Sequence, residues 1–574
     1  MGARPPRPGA AVAAALALGA ALRGVSFLER PSLAMDEARL SLNIAARSFA
    51  GLAAPLDHDQ SAPLLFLWAE RLMTRLFGVN EPALRALPLL SGLGVLLVSF
   101  VILRRLVPGR STTLGVAILA VAPTMVAYSN EAKQYMTEAL VALVLVWLAL
   151  EWLERPGPRP ALLLAVTGIV AVWLSGSAVL VLAGIAPVVL FGHRPMDRAT
   201  RRLGMAACAA WAVWFGLAYL LVYRSAAVNP YMERYWAPAF LTPGDTSLRH
   251  AWLALEDIVW GFIVGHGGLA RKPEAEVLVA ACAVIGLGCV LWGARQLRQS
   301  RGPGAAAVLL GPLAAVLLAS LAGLYPVGQR LLVFAVPSIV ILGVAGLEAA
   351  VGHAGTDWGR RTWGVLAGLV VAPLFAVTVL QLTVLDSASR MRGLVARLAS
   401  HRAAGEPVYV FGRALPAWEF YTTNWSAPDR QRLDFLNRVA RAGGPAFENA
   451  PSRGGRVGAT EGEGLRYRAA AGPELIGLPT GMEYVAGQGL LRLRPDDGWV
   501  EREADRIEGA AGPGVWIVLA EFLGPEYQLV EELRRRGARI TYGDFEPGHV
   551  LVRIVFASSQ HTPARPMPAN PSHT

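Results

Sequence analysis

From Ala10 to Val384 the chain is a succession of apolar runs, most of them long enough to cross a hydrocarbon layer about 30 Å thick. No other feature restricts its fold as much, because a backbone in lipid must satisfy its own hydrogen bonds and only helices or closed barrels do so. The runs are Ala10 to Phe27, Leu84 to Leu106, Thr113 to Ala127, Met136 to Trp152, Ala161 to Leu174, Ala178 to Phe191, Leu203 to Tyr223, Ala275 to Trp292, Ala305 to Leu324, Leu331 to Val351 and Trp363 to Val384. They predict a mainly α, polytopic transmembrane helical bundle of about eleven spans.

Alternate connections are rich in arginine: Arg104, Arg105 and Arg110; Arg155 and Arg159; His193, Arg194, Arg198, Arg201 and Arg202; Arg295, Arg298 and Arg301; Arg360 and Arg361. The positive-inside rule puts these in the cytoplasm together with the N-terminus, which reads as an uncleaved signal anchor rather than a cleaved signal peptide. The same alternation puts outside the segment after Phe27, the turn Tyr128 to Tyr135, the stretch Arg224 to Pro273, the turn Tyr325 to Arg330 and everything after Val384. A net charge of +11 in a soluble chain would suggest a nucleic-acid partner. Here only 17% of residues are charged, 54% are hydrophobic and the arginines sit in short connections, so the charge orients helices and implies no nucleic acid. Cys208, Cys282 and Cys289 lie inside apolar runs, and the last two, about 10 Å apart along one helix, cannot pair with each other.

Two stretches before Val384 are not spans. Ala62 to Phe77 sets Leu64, Leu65, Trp68, Leu72 and Leu76 at helical spacing while Glu70, Arg71 and Arg75 interrupt it, which predicts an amphipathic helix in the outer interface. Trp236, Trp252 and Trp260 suggest a second interfacial element. After Val384 the pattern becomes that of a small α/β domain. Pro407 to Phe411 and Val515 to Leu519 read as buried strands, Tyr527 to Arg536 as a helix stopping at Gly537, and Gly548 to Phe556 as an alternating strand. Gly443 to Gly464 reads as a mobile loop and the tail from Ser558 as disordered. The expected domains are 1–385 in the membrane, 386–557 outside it, and the tail 558–574.

Chemistry is expected at four places. Asp36 and Glu37 follow the first run and open a polar loop; a partly desolvated carboxylate beside a like charge has its pKa raised and can accept a proton, although a solvated interfacial loop has the same composition. Asp57, His58, Asp59 and Gln60 offer oxygen and imidazole groups that, with Asp36, could hold a divalent cation. In Tyr128 to Tyr135, a helix opened at Glu131 would put Tyr128, Glu131 and Tyr135 on one face and point Lys133 elsewhere. Lys133, one of two lysines in the chain, suits a phosphate, as does Arg330 at the start of a later span. For both cations the competing reading is a snorkelling side chain. No Walker loop, GxSxG, HExxH or cysteine-rich metal spacing is present, which argues against an ATP-driven pump, a serine hydrolase and a zinc protease. Glu138 is the main ionisable group inside a span, so the proton relay of a coupled transporter is not evident.

These residues also form a pattern. Asp36-Glu37 after the first span, Gln60-Ser61-Ala62-Pro63-Leu64-Leu65 entering the interfacial helix, Leu84-Arg85 entering the next span, the stretch Tyr128-Ser129-Asn130-Glu131-Ala132-Lys133-Gln134-Tyr135, and Tyr325 to Phe334 continuing to Pro337 together resemble the integral-membrane GT-C glycosyltransferases of the family 39 and aminoarabinose-transferase-like type. The resemblance covers Met1 to Val384 and implies a GT-C fold with a C-terminal extracytoplasmic α/β domain, in the cell (inner) membrane. It implies inverting transfer of a sugar from a polyprenyl-phosphate carrier to an extracytoplasmic glycan, lipid or protein. Asp36 would be the base with Glu37 in support, Lys133 and Arg330 would hold the carrier phosphate, and Glu131, Tyr128, Tyr135, His58 and Gln60 would line the substrate site. The family often has arginine where this chain has Lys133, and a Pro-Pro where it has Ala62-Pro63. Two other readings stay open: a lipid or polysaccharide transporter or flippase gripping a lipid phosphate without chemistry, and a non-catalytic envelope protein whose exterior domain binds glycans.

Overall fold

The computed structural model describes residues 9–58, 60–192, 197–224, 236–241, 273–351, 357–385, 390–403, 406–411, 414–425, 466–469, 472–476, 482–484, 491–493, 499–511, 513–520, 527–546 and 549–556, with isolated positions between 252 and 263. Asp59, Trp260, the loop Gly443 to Gly464 and the tail from Ser558, all singled out in the sequence, lie outside the described residues. The chain divides into two compact units. One is Met1–Ala388 with Thr423–Gly443 and Tyr484–Leu491; the other is Ser389–Thr422 with Gly444–Glu483 and Arg492–Thr574.

The first unit is helical. Each of the eleven predicted runs falls on helix: α1 (Ala10–Glu29), α4 (Glu81–Leu106), α5 (Arg110–Val121) with α6 (Pro123–Ala127), α7 (Tyr135–Glu154), α8 (Pro158–Leu174), α9 (Ala178–Phe191), α10 (Arg198–Ala218), and the later helices Pro273–Arg301, Pro303–Leu321, Val336–Val351 and Asp357–Leu380. Eight among the described residues are long and apolar enough to cross a membrane, nine if the bent pair Arg110–Val121 and Pro123–Asn130 counts as one span, while α8 and α9 are shorter. Leu90, Leu97, Leu162, Leu220 and Leu278 are more than half exposed, as lipid-facing positions must be. The chain is a multi-pass membrane protein. Backbones close tightly where glycines meet: a Cβ on Gly184 would stand 2.2 Å from the Gly311 carbonyl carbon, and one on Gly293 would stand 1.9 Å from the Leu342 oxygen.

Two elements position the site. The first is α2 (Met35–Ala46), a helix where the sequence suggested a polar loop. Its first turn carries Asp36 and Glu37, favourable at a positive helix end, and Glu37 reaches back to the Ala34 N–H at 3.0 Å. The second is the 60° bend between α5 and α6. Pro123 has no N–H, so the Leu119 carbonyl loses its helical partner. Arg23, fully buried in α1, donates through Nη2 to Leu119 O and through Nη1 to Ala120 O, both at 3.1 Å, and Thr378 Oγ1 donates to Val121 O at 2.6 Å. Three carbonyls at the bend, of Leu119, Ala120 and Val121, are thus bonded by side chains from α1 and from the helix Asp357–Leu380.

The amphipathic helix is present as α3 (Leu64–Phe77): Trp68, Leu72 and Leu76 are exposed, while Phe66, Leu67, Glu70 and Arg71 are buried.

The second unit has the expected α/β character. Strands β1 (Val408–Val410), β2 (Arg466–Ala469), β3 (Gly472–Ile476), β6 (Gly514–Ala520), β7 (Arg539–Glu546) and β8 (His549–Val555) form one sheet in the order β2-β3-β1-β6-β8-β7; β4 (Met482–Tyr484) and β5 (Leu491–Leu493) stand outside it. β1 runs parallel to β3 and β6, and β8 is antiparallel to β6 and β7. Phe411, Ile517, Val552 and Leu533 of the helix Tyr527–Arg535 are buried in its core. Gly537, at φ 95°, ends that helix as expected.

Candidate active site

Asp36, Lys133 and Arg330, far apart in the chain, meet. Arg330 Nη1 donates to Asp36 Oδ2 at 2.5 Å, and Lys133 Nζ lies 3.8 Å from the same oxygen. Lys133 Nζ also donates to Gln60 Oε1 at 2.7 Å, which draws the connection between α2 and α3 into the cluster. Burial by itself would raise the Asp36 carboxyl, but Lys133, Arg330 and Arg39 outweigh it and hold the group well below the usual carboxylate range. Asp36 is therefore ionised at neutral pH. Burial lowers the Lys133 ammonium, and Asp36 beside it works in the opposite direction.

Glu37 has a different setting. Arg85 grips both its oxygens, Nε to Oε1 at 2.9 Å and Nη2 to Oε2 at 2.7 Å, and the Ala132 N–H donates to Oε1 at 2.8 Å. With the Ala34 N–H this makes four bonds on one buried carboxylate, which ties the start of α2 to the turn carrying Glu131 and Lys133. Sequence reasoning placed Arg85 in a motif without giving it a task; the acid at Glu37 was the signal that a buried arginine had to answer.

The turn Tyr128 to Tyr135 departs from the expected geometry. Tyr128–Asn130 is a 3-10 turn, Glu131 is extended and α7 begins only at Tyr135, so Glu131 opens no helix. Consequently Lys133 does not point away; it is 5% exposed and faces Asp36 and Gln60. Tyr128 and Tyr135 still meet, edge to face, with centroids 5.2 Å apart. Burial, then the charge of Glu37 and of Asp36, push the Glu131 carboxyl up to about 8, against the opposing pull of Lys133 and Arg330. Asn130 Oδ1, Gln134 Oε1 and Gln329 Nε2, next in sequence to site residues, are buried polar atoms with no hydrogen-bond partner among the described residues.

His58, at φ 62°, accepts from Gln60 Nε2 through its carbonyl at 3.1 Å. Its ring is pushed down to about 3 by burial, with Arg39 and Arg47 adding to it, so it stays neutral. Asp57 is committed to Arg47 at 2.7 Å, and among the described residues no three His, Cys, Asp or Glu side chains gather as a metal site. Of the expected cation-binding set Asp36, Asp57, His58 and Asp59, the last lies outside the described residues, and the other three do not gather as a metal site. The ring of Trp236, expected in an interfacial aromatic element, lies against the Arg330 guanidinium carbon, 5.2 Å from the ring centroid.

Residues 61–215 match the family model described as dolichyl-phosphate-mannose-protein mannosyltransferase. No curated protein matches the chain. Among solved structures the chain is similar to ArnT from Cupriavidus metallidurans, bound to undecaprenyl phosphate and in the apo state, at 14% identity and TM-score 0.48 over 94% of this chain and 97% of that one. It is also similar to the Archaeoglobus fulgidus oligosaccharyltransferase in complex with Zn and sulfate, at 12% identity and TM-score 0.46, over 72% of this chain and 61% of that one. At scores this low the structural likenesses carry no argument about the site. The family match spans α3 to α10 and takes in Arg85, Glu131 and Lys133.

Proposed function

We propose that the chain transfers a sugar from a polyprenyl-phosphate carrier to an extracytoplasmic glycan, lipid or protein, with inversion, at the cluster of Asp36, Lys133, Arg330 and Glu131, in the cell (inner) membrane. The observation behind this reading is the sharing of one Asp36 oxygen by two cations. A polyprenyl phosphate departs as an anion, so its transfer needs cations on the leaving side and one proton acceptor on the other. Arg330 and Lys133 supply the first. The acceptor's hydroxyl or amine attacks the anomeric carbon, the bond from that carbon to the phosphate oxygen breaks with its electrons on the phosphate, and Asp36 takes the proton. As the donor phosphate draws the two cations to itself, their hold on Asp36 weakens and its basicity rises. Sugar hydroxyls would satisfy the partnerless Asn130, Gln134 and Gln329 atoms.

A transporter or flippase reading needs the cations but gives no task to the carboxylate set between them, which the enzymatic reading uses as the proton acceptor. Within the enzymatic reading, Glu131 is the alternative proton acceptor: its carboxyl, raised to about 8, is mostly protonated at neutral pH and accepts only in its ionised fraction. Transfer by the purified chain from polyprenyl-phosphate sugars, with mass analysis of the products, tests the proposal. Asp36→Asn should abolish transfer while Glu131→Gln keeps most of it. The reverse result assigns the proton to Glu131, and full activity in both variants would reject the site.

A further inference from the structure

Between α10 and the helix Pro273–Arg301, the described strap 236–241 is bonded to the segment that carries Arg330. The Val327 N–H donates to Ala239 O at 2.7 Å, and the Leu241 N–H donates to Ser320 Oγ at 3.0 Å. Trp236 is thereby set beside Gly328, where a Cβ would stand 2.6 Å from the indole ring. Gly328 has an ordinary extended backbone at φ −114°, so it is the ring and not the backbone that leaves no room for a side chain. Across this gap the indole face covers the Arg330 guanidinium, whose Nη1 is on Asp36. The cation thus lies over an aromatic ring while its Nη1 is bound by a carboxylate.

We infer that Trp236 is a positioning residue for Arg330. Given the reading of Arg330 as a phosphate-binding group, on which this rests, the indole keeps the guanidinium plane fixed when the anionic ligand displaces Asp36 from it. A free arginine side chain samples many rotamers, and a cation over an indole loses most of that freedom without losing any N–H donor, because the ring occupies the face and leaves the edge open. Gly328 is the second half of the device, since only a residue without Cβ lets the ring approach. The expected consequence is tighter binding of the lipid phosphate, with little change in the chemical step.

The test is binding of undecaprenyl phosphate to the purified full chain in detergent, measured for wild type, Trp236→Ala, Trp236→Phe, Gly328→Ala, Arg330→Ala and the double variant Trp236→Ala/Arg330→Ala, each checked for an unchanged melting temperature. Trp236→Ala and Gly328→Ala should weaken binding about five- to thirtyfold, a range matching a partly desolvated cation–π contact. Trp236→Phe should restore most of it, and Trp236→Ala should add nothing once Arg330 is gone. Wild-type affinity in Trp236→Ala, or an equal loss with and without Arg330, would overturn the inference while leaving the phosphate role of Arg330 standing. Wild-type affinity in Arg330→Ala would remove that role, and the inference with it.

Discussion

Asp36 and Glu37 are neighbours on one helical turn, and each faces an arginine. The Glu37–Arg85 pair retains 5% and 4% of its side-chain surface and has bonds on both carboxylate oxygens; the Asp36–Arg330 pair retains 30% and 23%, and its bonds converge on one oxygen. The first pair has nothing left to offer a ligand. The second keeps open surface on both partners and a second cation, Lys133, close at hand. Successive residues at the start of a helix point about 100° apart, so one turn can serve a sealed joint and an open site together.

The comparison breaks most readily at the sealed pair. Arg85→Ala leaves the Glu37 carboxylate buried without its counter-ion, and loss of one partner of a buried pair costs about 3–5 kcal/mol, read as a fall in melting temperature of the detergent-solubilised chain. Arg330→Ala should leave the melting temperature nearly unchanged and lower transfer about 10²–10³-fold, the usual loss when a transition-state charge loses one donor. Glu131→Gln sharpens the contrast through pH. The folded carboxyl holds its proton to about 8 against an ordinary value of 4.5, so between those values the folded state binds more protons than the unfolded one and stability falls as pH rises. The Gln variant should flatten that slope in melting curves across pH 5 to 8. The smallest effect is expected for Arg105→Ala, whose partners Glu151 and Glu154 are 36% and 56% exposed; about 0–1 kcal/mol is expected in the same melting measurement.

Much of this was legible in the residues. The apolar runs marked the helices, eight of them among the described residues long and apolar enough to cross a membrane or nine with the bent pair, because lipid leaves a backbone little choice, and Asp36, Lys133 and Arg330 stood out as charged groups beside the ends of those runs. What the sequence did not disclose depends on distance. Arg23 is one charge within an apolar run, and its task is set by a proline a hundred residues away that orphans the Leu119 carbonyl. Helical spacing from Glu131 aims Lys133 away from the site, whereas the Ala132 N–H, bonded to Glu37, belongs to a turn that is not helical and brings Lys133 to Asp36. The contact of Trp236 with Arg330 was not legible, for a tryptophan's partner cannot be read from its neighbours in sequence. In the second unit, β6 and β8 were visible as apolar strands. β2, β3 and β7, with charged or glycine residues among few apolar ones, were not.

The central claim is that Asp36, and not its buried neighbour, does chemistry with Arg330 and Lys133. Its most direct test is transfer from a polyprenyl-phosphate sugar by Asp36→Asn, in membranes, alongside the melting temperature of the same purified variant. Loss of transfer by at least about 10²-fold in a variant that still melts as a folded protein is the expected result. Full transfer by the Asn variant would contradict the claim.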